Sequence, residues 1–192
     1  MLMERVIGAF TFRTSVYAEV EQDTSFTQTA WLIVGVIAFV SQLGANAARG
    51  FGGMLIGAVV GTVFALLGFG IGAWAIAWAG RTLFQANVTF EEMVRVLGLA
   101  YVWNVVAVIG IVALFGPALA CVLAPITIIA ALAGLVAMAF AAKEALDLDW
   151  VPTIISVLIG WVIAFILNLI AGAILGLLGF GVRAAGDIFT GR

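Results

Sequence analysis

Between Arg95 and Lys143 the sequence carries no charged residue, an interval of about 47 positions (96–142). An ionised side chain at the bilayer centre costs about 2.5–3.5 kcal/mol on the insertion scale, so charges mark where such a chain leaves lipid. One span needs about 20 apolar residues, so this interval holds two spans and a tight turn. Gly116-Pro117 supplies the turn. A second charge-free interval separates Asp23 from Arg49; the stretch from Trp31 to Ala48 is long enough to span, with Asp23, Thr24 or Ser25 as N-cap. A third runs from Arg49 to Arg81, about 31 residues or roughly 46 Å as helix, which exceeds one hydrocarbon core but is too short for two spans and a turn. It predicts one long or tilted helix, bent at Gly68-Phe69-Gly70-Ile71-Gly72.

The polar connections agree with this division. Gln85-Ala86-Asn87-Val88 leads to Thr89 and Glu92, whose spacing is that of a capping box opening the next helix. Pro125 kinks the fourth span or marks its early turns. Lys143 to Trp150 forms the second connection, and Asp149 with Pro152 begins the fifth span, which the glycines Gly172, Gly176, Gly179 and Gly181 extend towards Arg183. With 65% hydrophobic and 9% charged residues, the chain has far more apolar surface than a soluble fold could cover. The fold class is therefore all-α, an integral membrane bundle of about five transmembrane helices preceded by a short amphipathic N-terminal helix. Residues 1–28 form the amphipathic segment and 29–192 the membrane domain, with spans at about 29–48, 52–80, 94–115, 118–142 and 151–175.

The N-terminal segment does not read as a cleavable signal peptide, because Glu4, Arg5 and Arg13 interrupt it and Glu19, Glu21 and Asp23 follow. On a helical wheel Leu2, Met3, Val6, Ile7, Phe10, Tyr17 and Val20 share one side, opposite Glu4, Arg5, Thr11 and Glu19. Such a helix lies in the membrane interface with Arg13 snorkelling, or packs on the ends of its own bundle; the two readings are compatible. Five spans put the termini on opposite sides. Arg5, Arg13, Arg81, Arg95 and Lys143 against Arg49, Arg183 and Arg192 favour a cytoplasmic N-terminus by the positive-inside rule, in a cell (inner) membrane.

Several function classes fall away. The chain has no His and one Cys, Cys121, which removes thiolate-rich zinc, iron–sulfur and His-ligated haem sites. A net charge of −2 without a basic run gives no case for nucleic acid. Glu91 and Glu92, or Asp147 and Asp149, stand beside basic residues in connections and read as solvated loop charge rather than acid–base pairs. Trp31, Tyr101 and Trp150 suit an aromatic belt, with Trp74, Trp78, Trp103 and Trp161 deeper. No catalytic residue, cofactor or metal ligand is expected.

The strongest pattern inside the spans is the small-residue stripe Gly53, Gly57, Gly61, Ala65, Gly68 and Gly72, which spacings of three and four keep on one helix face. Gly160, and Gly172 with Gly176, offer similar faces on the fifth span. The stripe reads as close packing within the bundle or as a self-association seam. Strongly polar residues in the spans are Gln42, Asn46, Asn104 and Asn168, and no ionisable group lies near a span's middle. Asn104 and Asn168 read as interhelical hydrogen-bonding groups, with a ligand role as the alternative. No inverted repeat with paired broken helices is visible.

In order, the segments Glu4 to Phe10, Tyr17 to Asp23, Gln28-Thr29-Ala30-Trp31, Thr89 to Ala100, and Ala139 to Leu146 with a Trp-containing start to the last span resemble the Yip family, named for interaction with Ypt/Rab GTPases, in its bacterial form. The resemblance implies five helices, a cytosolic N-terminus and an outer or lumenal C-terminus. Trp103 stands where such proteins often have a proline, and the long N-terminal region of eukaryotic members, with its aspartate-leucine-tyrosine-glycine-proline type motif, is lacking. GTPase binding is therefore not carried over. The expected function is a non-enzymatic scaffold, membrane organiser or accessory subunit whose partners are the bilayer and other membrane proteins or a second copy. The alternative is a transporter or lipid-handling protein with an intramembrane polar cavity.

Overall fold

The computed structural model describes residues 2–167, 169 and 170. Asn168, Gly172, Gly176 and the extension towards Arg183 lie outside them. Every regular element among the described residues is helical: α1 (Leu2–Phe10), α2 (Ser15–Gln22), α3 (Phe26–Asn46), α4 (Gly50–Phe84), α5 (Phe90–Ala100), a 3-10 segment (Tyr101–Phe115), α6 (Pro117–Leu146) and α7 (Trp150–Leu167).

Among the described residues four apolar helical stretches are long enough to cross a membrane: Phe26–Phe84, Phe90–Phe115, Val122–Leu146 and Trp150–Leu167. The first has 59 residues and would extend about 88 Å as a single helix. It instead folds back at the 3-10 turn Ala47–Arg49, followed by Gly50 at φ 75°, a conformation glycine adopts without a Cβ clash. The register of the resulting hairpin is antiparallel: Gly57 faces Asn46, Gly61 faces Gln42 and Gly70 faces Trp31. That stretch therefore contributes two spans, and the described residues hold five.

The Thr89 capping box is formed on both sides, with Glu92 N–H donating to Thr89 Oγ1 at 3.2 Å and Thr89 N–H to Glu92 Oε2 at 2.7 Å. Gly116 turns the chain at φ 139°, and Pro117 sits in the first turn of α6, where its missing N–H is harmless. Pro125 lies inside α6, beyond its opening turn. One expectation needs correction. Ser25 precedes α3, but its hydroxyl donates to Asp23 Oδ1 at 2.5 Å instead of capping the helix. The single long helix expected between Arg49 and Arg81 is present: α4 runs as one α-helix of 35 residues, about 52 Å, through the glycines at 68, 70 and 72.

The third span changes form midway, from α5 to 15 residues of 3-10 helix. Runs longer than 3–4 residues are uncommon, and at about 2.0 Å per residue this one extends about 30 Å. Its sequence is rich in Val and Ile, whose β-branches crowd an α-helical turn. The segment passes α3 at very close range: a Cβ on Gly44 would fall into the Ala107 carbonyl, and one on Gly110 would lie 2.8 Å from Gly44 O. Gly44 and Gly110, both outside the anticipated stripe, thus let the two backbones approach closely.

The N-terminal segment is two helices, not one. α1 ends in a Schellman motif, with Arg13 N–H on Gly8 O at 2.9 Å and Phe12 N–H on Ala9 O at 3.3 Å, and Phe12 takes φ 55°. Reversal at Phe12 separates the two halves of the predicted apolar side. Val16, Tyr17 and Val20 on α2 are buried, whereas Leu2, Met3 and Ile7 on α1 are 48%, 69% and 55% exposed.

Candidate functional site

Two regions concentrate the polar chemistry of this apolar chain. The first is the seat of the N-terminal cap. The last carbonyls of a helix lack partners within it and carry the negative end of its dipole. At the end of α2, Arg95 donates through Nε (2.9 Å) and Nη2 to Glu21 O and through Nη1 to Thr27 Oγ1 (3.3 Å), while only 4% exposed. Arg5 Nη1 donates to Asp23 Oδ2 at 2.8 Å, its Nε lies 3.9 Å from Glu19 Oε2, and its guanidinium sits 5.2 Å above the Phe26 ring. One arginine thereby ties α1 to α2 and to the start of α3. Trp103 Nε1 donates to Ala9 O at 3.2 Å. The indole also stacks on Phe12 (5.3 Å) and meets Phe10 edge-on (5.1 Å).

Electrostatics follow from this seat. The Glu21 carboxyl is pushed above its ordinary value by burial and then by the negative charges of Asp147, Glu92 and Glu144, with Arg95 opposing. Asp23 is held below its ordinary value by the Ser25 hydrogen bond and then by the one from Arg5. The Tyr17 hydroxyl is fully buried with no hydrogen-bond partner among the described residues, and burial pushes its pKa up to about 12. Clamped in this way, α1 runs beside α3 and the 3-10 segment, and Leu2, Val6, Phe10, Leu32 and Val36 line an apolar groove of about 460 Å³ between them.

The second region lies along α4. Gly53, Gly57 and Gly61 form one wall of a groove of about 450 Å³ that also involves Gln42, Asn46 and Arg49. Ala65, Gly68 and Gly72 form one wall of a cavity of about 270 Å³ reaching Tyr101 and Trp161. Gln42 lines both. Asn46 Nδ2 donates to Gln42 O (2.8 Å) and to Gln42 Oε1 (3.1 Å). Gln42 Nε2 and the Tyr101 hydroxyl have no hydrogen-bond partner among the described residues. Over Gly57 and Gly61 the stripe packs against the Asn46 and Gln42 side chains of α3. Farther along α4, Gly72 approaches α7, with Ala164 Cβ 4.0 Å from where its Cβ would be, and Gly160 approaches Gly72 O and Ile76.

Asn104 differs from expectation. Its amide donates to Tyr101 O (3.2 Å) in its own segment. The interhelical bond uses its backbone carbonyl, which accepts from Ser41 Oγ at 2.6 Å. Ser41, Gly44 and Arg95 are the residues that sequence reasoning passed over. For Arg95 a signal existed: it interrupts the run Met93-Val94-Arg95-Val96-Leu97, every member of which is buried. Among the described residues no cluster of His, Cys, Asp or Glu could hold a metal ion.

Comparison with known proteins adds one result: a family model described as Yip1 domain matches residues 7–172. No curated protein and no solved structure matches.

Proposed function

The chain belongs to the Yip family, and from that premise we propose that it is a non-enzymatic organiser of the membrane, built to hold one short amphipathic helix in a single leaflet. It is an integral multi-pass membrane protein. The observation that carries the reading is the contrast between α2, whose apolar side is buried, and α1, which leaves Leu2, Met3 and Ile7 exposed beside the spans. An amphipathic helix sinks about 5–10 Å into the boundary between headgroups and acyl chains, where it takes up area in one leaflet only. A free helix of nine residues would bind weakly and exchange; attachment to five spans makes its insertion intramolecular and permanent.

The N-terminus is assigned to the cytoplasmic side of the inner membrane, in keeping with Arg5, Arg13, Arg81, Arg95 and Lys143 at that end. Outward-facing apolar surface, including the stacked pair Trp74 and Trp78 at 6.3 Å, leaves room for contact with other membrane proteins or a second copy.

Reconstitution tests the reading. The full chain is inserted into vesicles at rising protein-to-lipid ratio, and vesicle diameters are measured by electron cryo-microscopy. Mean diameter should fall with the parent chain and fall much less with Met3→Glu/Ile7→Glu inserted to the same density. Identical distributions for the two proteins would refute an organising role for α1.

A further inference from the structure

Parallel helices that stay in contact must rise together, and the third span keeps step with α3 only because part of it is 3-10. A Cβ on Gly98 would meet Ala30 Cβ at 2.8 Å, and one on Gly110 would meet Gly44 O at 2.8 Å. Between these two contacts α3 uses fourteen positions, about 21 Å, and the third span only twelve. As α-helix those twelve would rise about 18 Å; with 3-10 form from Tyr101 onwards they rise about 23 Å. The contacts that hold this form come from α3: the Ser41 hydroxyl donates to Asn104 O at 2.6 Å, and Gly44 admits the Ala107 carbonyl. A neighbouring helix thus imposes the extended form, since 3-10 runs left to themselves stop at about 3–4 residues.

One sequence therefore has two lengths. Residues 96–115 extend about 37 Å as they stand and would extend about 30 Å as a continuous α-helix, the thickness of an ordinary hydrocarbon core. Either form pairs its backbone groups within the span, so their exchange exposes none of them to lipid. Mismatch between span and bilayer carries a free-energy cost on every ångström, so thickness weights the two forms differently. We propose that the third span is a length-adjustable element that senses bilayer thickness, 3-10 in thick bilayers and α-helical in thin ones, and passes the change to the N-terminal cap through Trp103. An α-helix turns each residue about 20° less than a 3-10 helix does. Trp103 is the third residue of the convertible segment, so conversion swings it about 60° relative to α5. That swing takes the indole N–H off Ala9 O and the ring off Phe12. The device is independent of the organising role assigned to α1.

The experiment is double electron–electron resonance on the full chain in vesicles of dimyristoleoyl-, dioleoyl- or dierucoyl-phosphatidylcholine, in order of rising thickness. Spin labels go on Glu91→Cys and Phe115→Cys, both at exposed positions, in a Cys121→Ala background. Their separation along the span should be about 43 Å in the thickest bilayer and about 36 Å in the thinnest. A pair within α3, Gln28→Cys and Ala45→Cys, should hold one distance throughout. Tilting moves a helix whole and leaves distances within it unchanged, so the third-span pair reads a change of form alone. Ser41→Ala, which frees Asn104 O, should favour the shorter distance in dioleoyl vesicles. Amide exchange at residues 2–22 should quicken as the short form appears. A third-span distance that is the same in all three lipids, or the same in Ser41→Ala as in the parent, overturns the proposal. Shortening with unchanged exchange at residues 2–22 overturns the link to the cap.

Discussion

Phe12 holds a left-handed backbone (φ 55°) while its ring stacks on Trp103 at 5.3 Å and 23°. A bulky L-residue in that conformation is strained by about 1–2 kcal/mol. The stack, the Phe10 contact and the indole N–H on Ala9 O offset the strain, so the reversal that separates α1 from α2 is maintained by a residue of the third span.

The strain and the stack can be separated by substitution. Phe12→Gly and Phe12→Ala both lose the ring, but only alanine keeps the penalty at positive φ. In a detergent melt Phe12→Ala should be less stable than Phe12→Gly by about 1 kcal/mol. Trp103→Leu should be worse than Phe12→Gly and should speed amide exchange throughout residues 2–22. Unchanged exchange there would show that the cap is held by other contacts.

Arg95 gives a second prediction. Its fork on Glu21 O joins elements 74 residues apart. Hydrogen bonds to a charged group contribute about 1.5–3 kcal/mol, and a lysine lacks the planar fork. Arg95→Lys and Arg95→Leu should therefore both loosen α2, measured as faster amide exchange at residues 15–22, with leucine the less damaging to the surrounding apolar core.

Glu21 predicts a pH dependence whose sign follows from its raised pKa. Between its ordinary 4.5 and the raised folded value, the folded chain keeps a proton that the unfolded chain has released. Stability contributed by this group therefore falls as pH rises through that window. Glu21→Gln should flatten the melting temperature across that window and raise it at pH 7. A steeper profile in the variant would reverse the assignment.

Glycine positions should rank by what a Cβ would meet. Gly44→Ala pushes against the Ala107 backbone and should lower stability by 1 kcal/mol or more, about the effect of overpacking a core. Gly57→Ala meets the Asn46 side chain, not backbone, and should cost less. Gly52→Ala meets nothing within 4 Å and should stabilise α4 by about 0.5–1 kcal/mol. Detergent melts of the three variants check the order.

A topology reporter active only outside the cytoplasm should work when inserted at Gly116 and fail at Asn87, since one span separates the two turns. Equal signals at both sites would contradict a transmembrane third span.

The five spans, their connections, the Thr89 capping box and the Gly116-Pro117 turn were legible in the sequence. Each depends on transfer energies or cap geometries that belong to a few neighbouring residues, whatever the rest of the chain does. Placement of Arg95, Trp103, Gly44 and Gln42 was not legible. Whether an arginine is a loop charge or a buried fork depends on a helix end 74 residues away. A glycine stripe likewise becomes a packed seam only where the facing helix brings side chains to it. On α4 the facing residues are Asn46 and Gln42, and their position across the hairpin is set by where Ala47–Arg49 turns the chain. The bilayer thus reads the chain residue by residue, while pairing of its polar groups is decided by helix register, which no local pattern encodes.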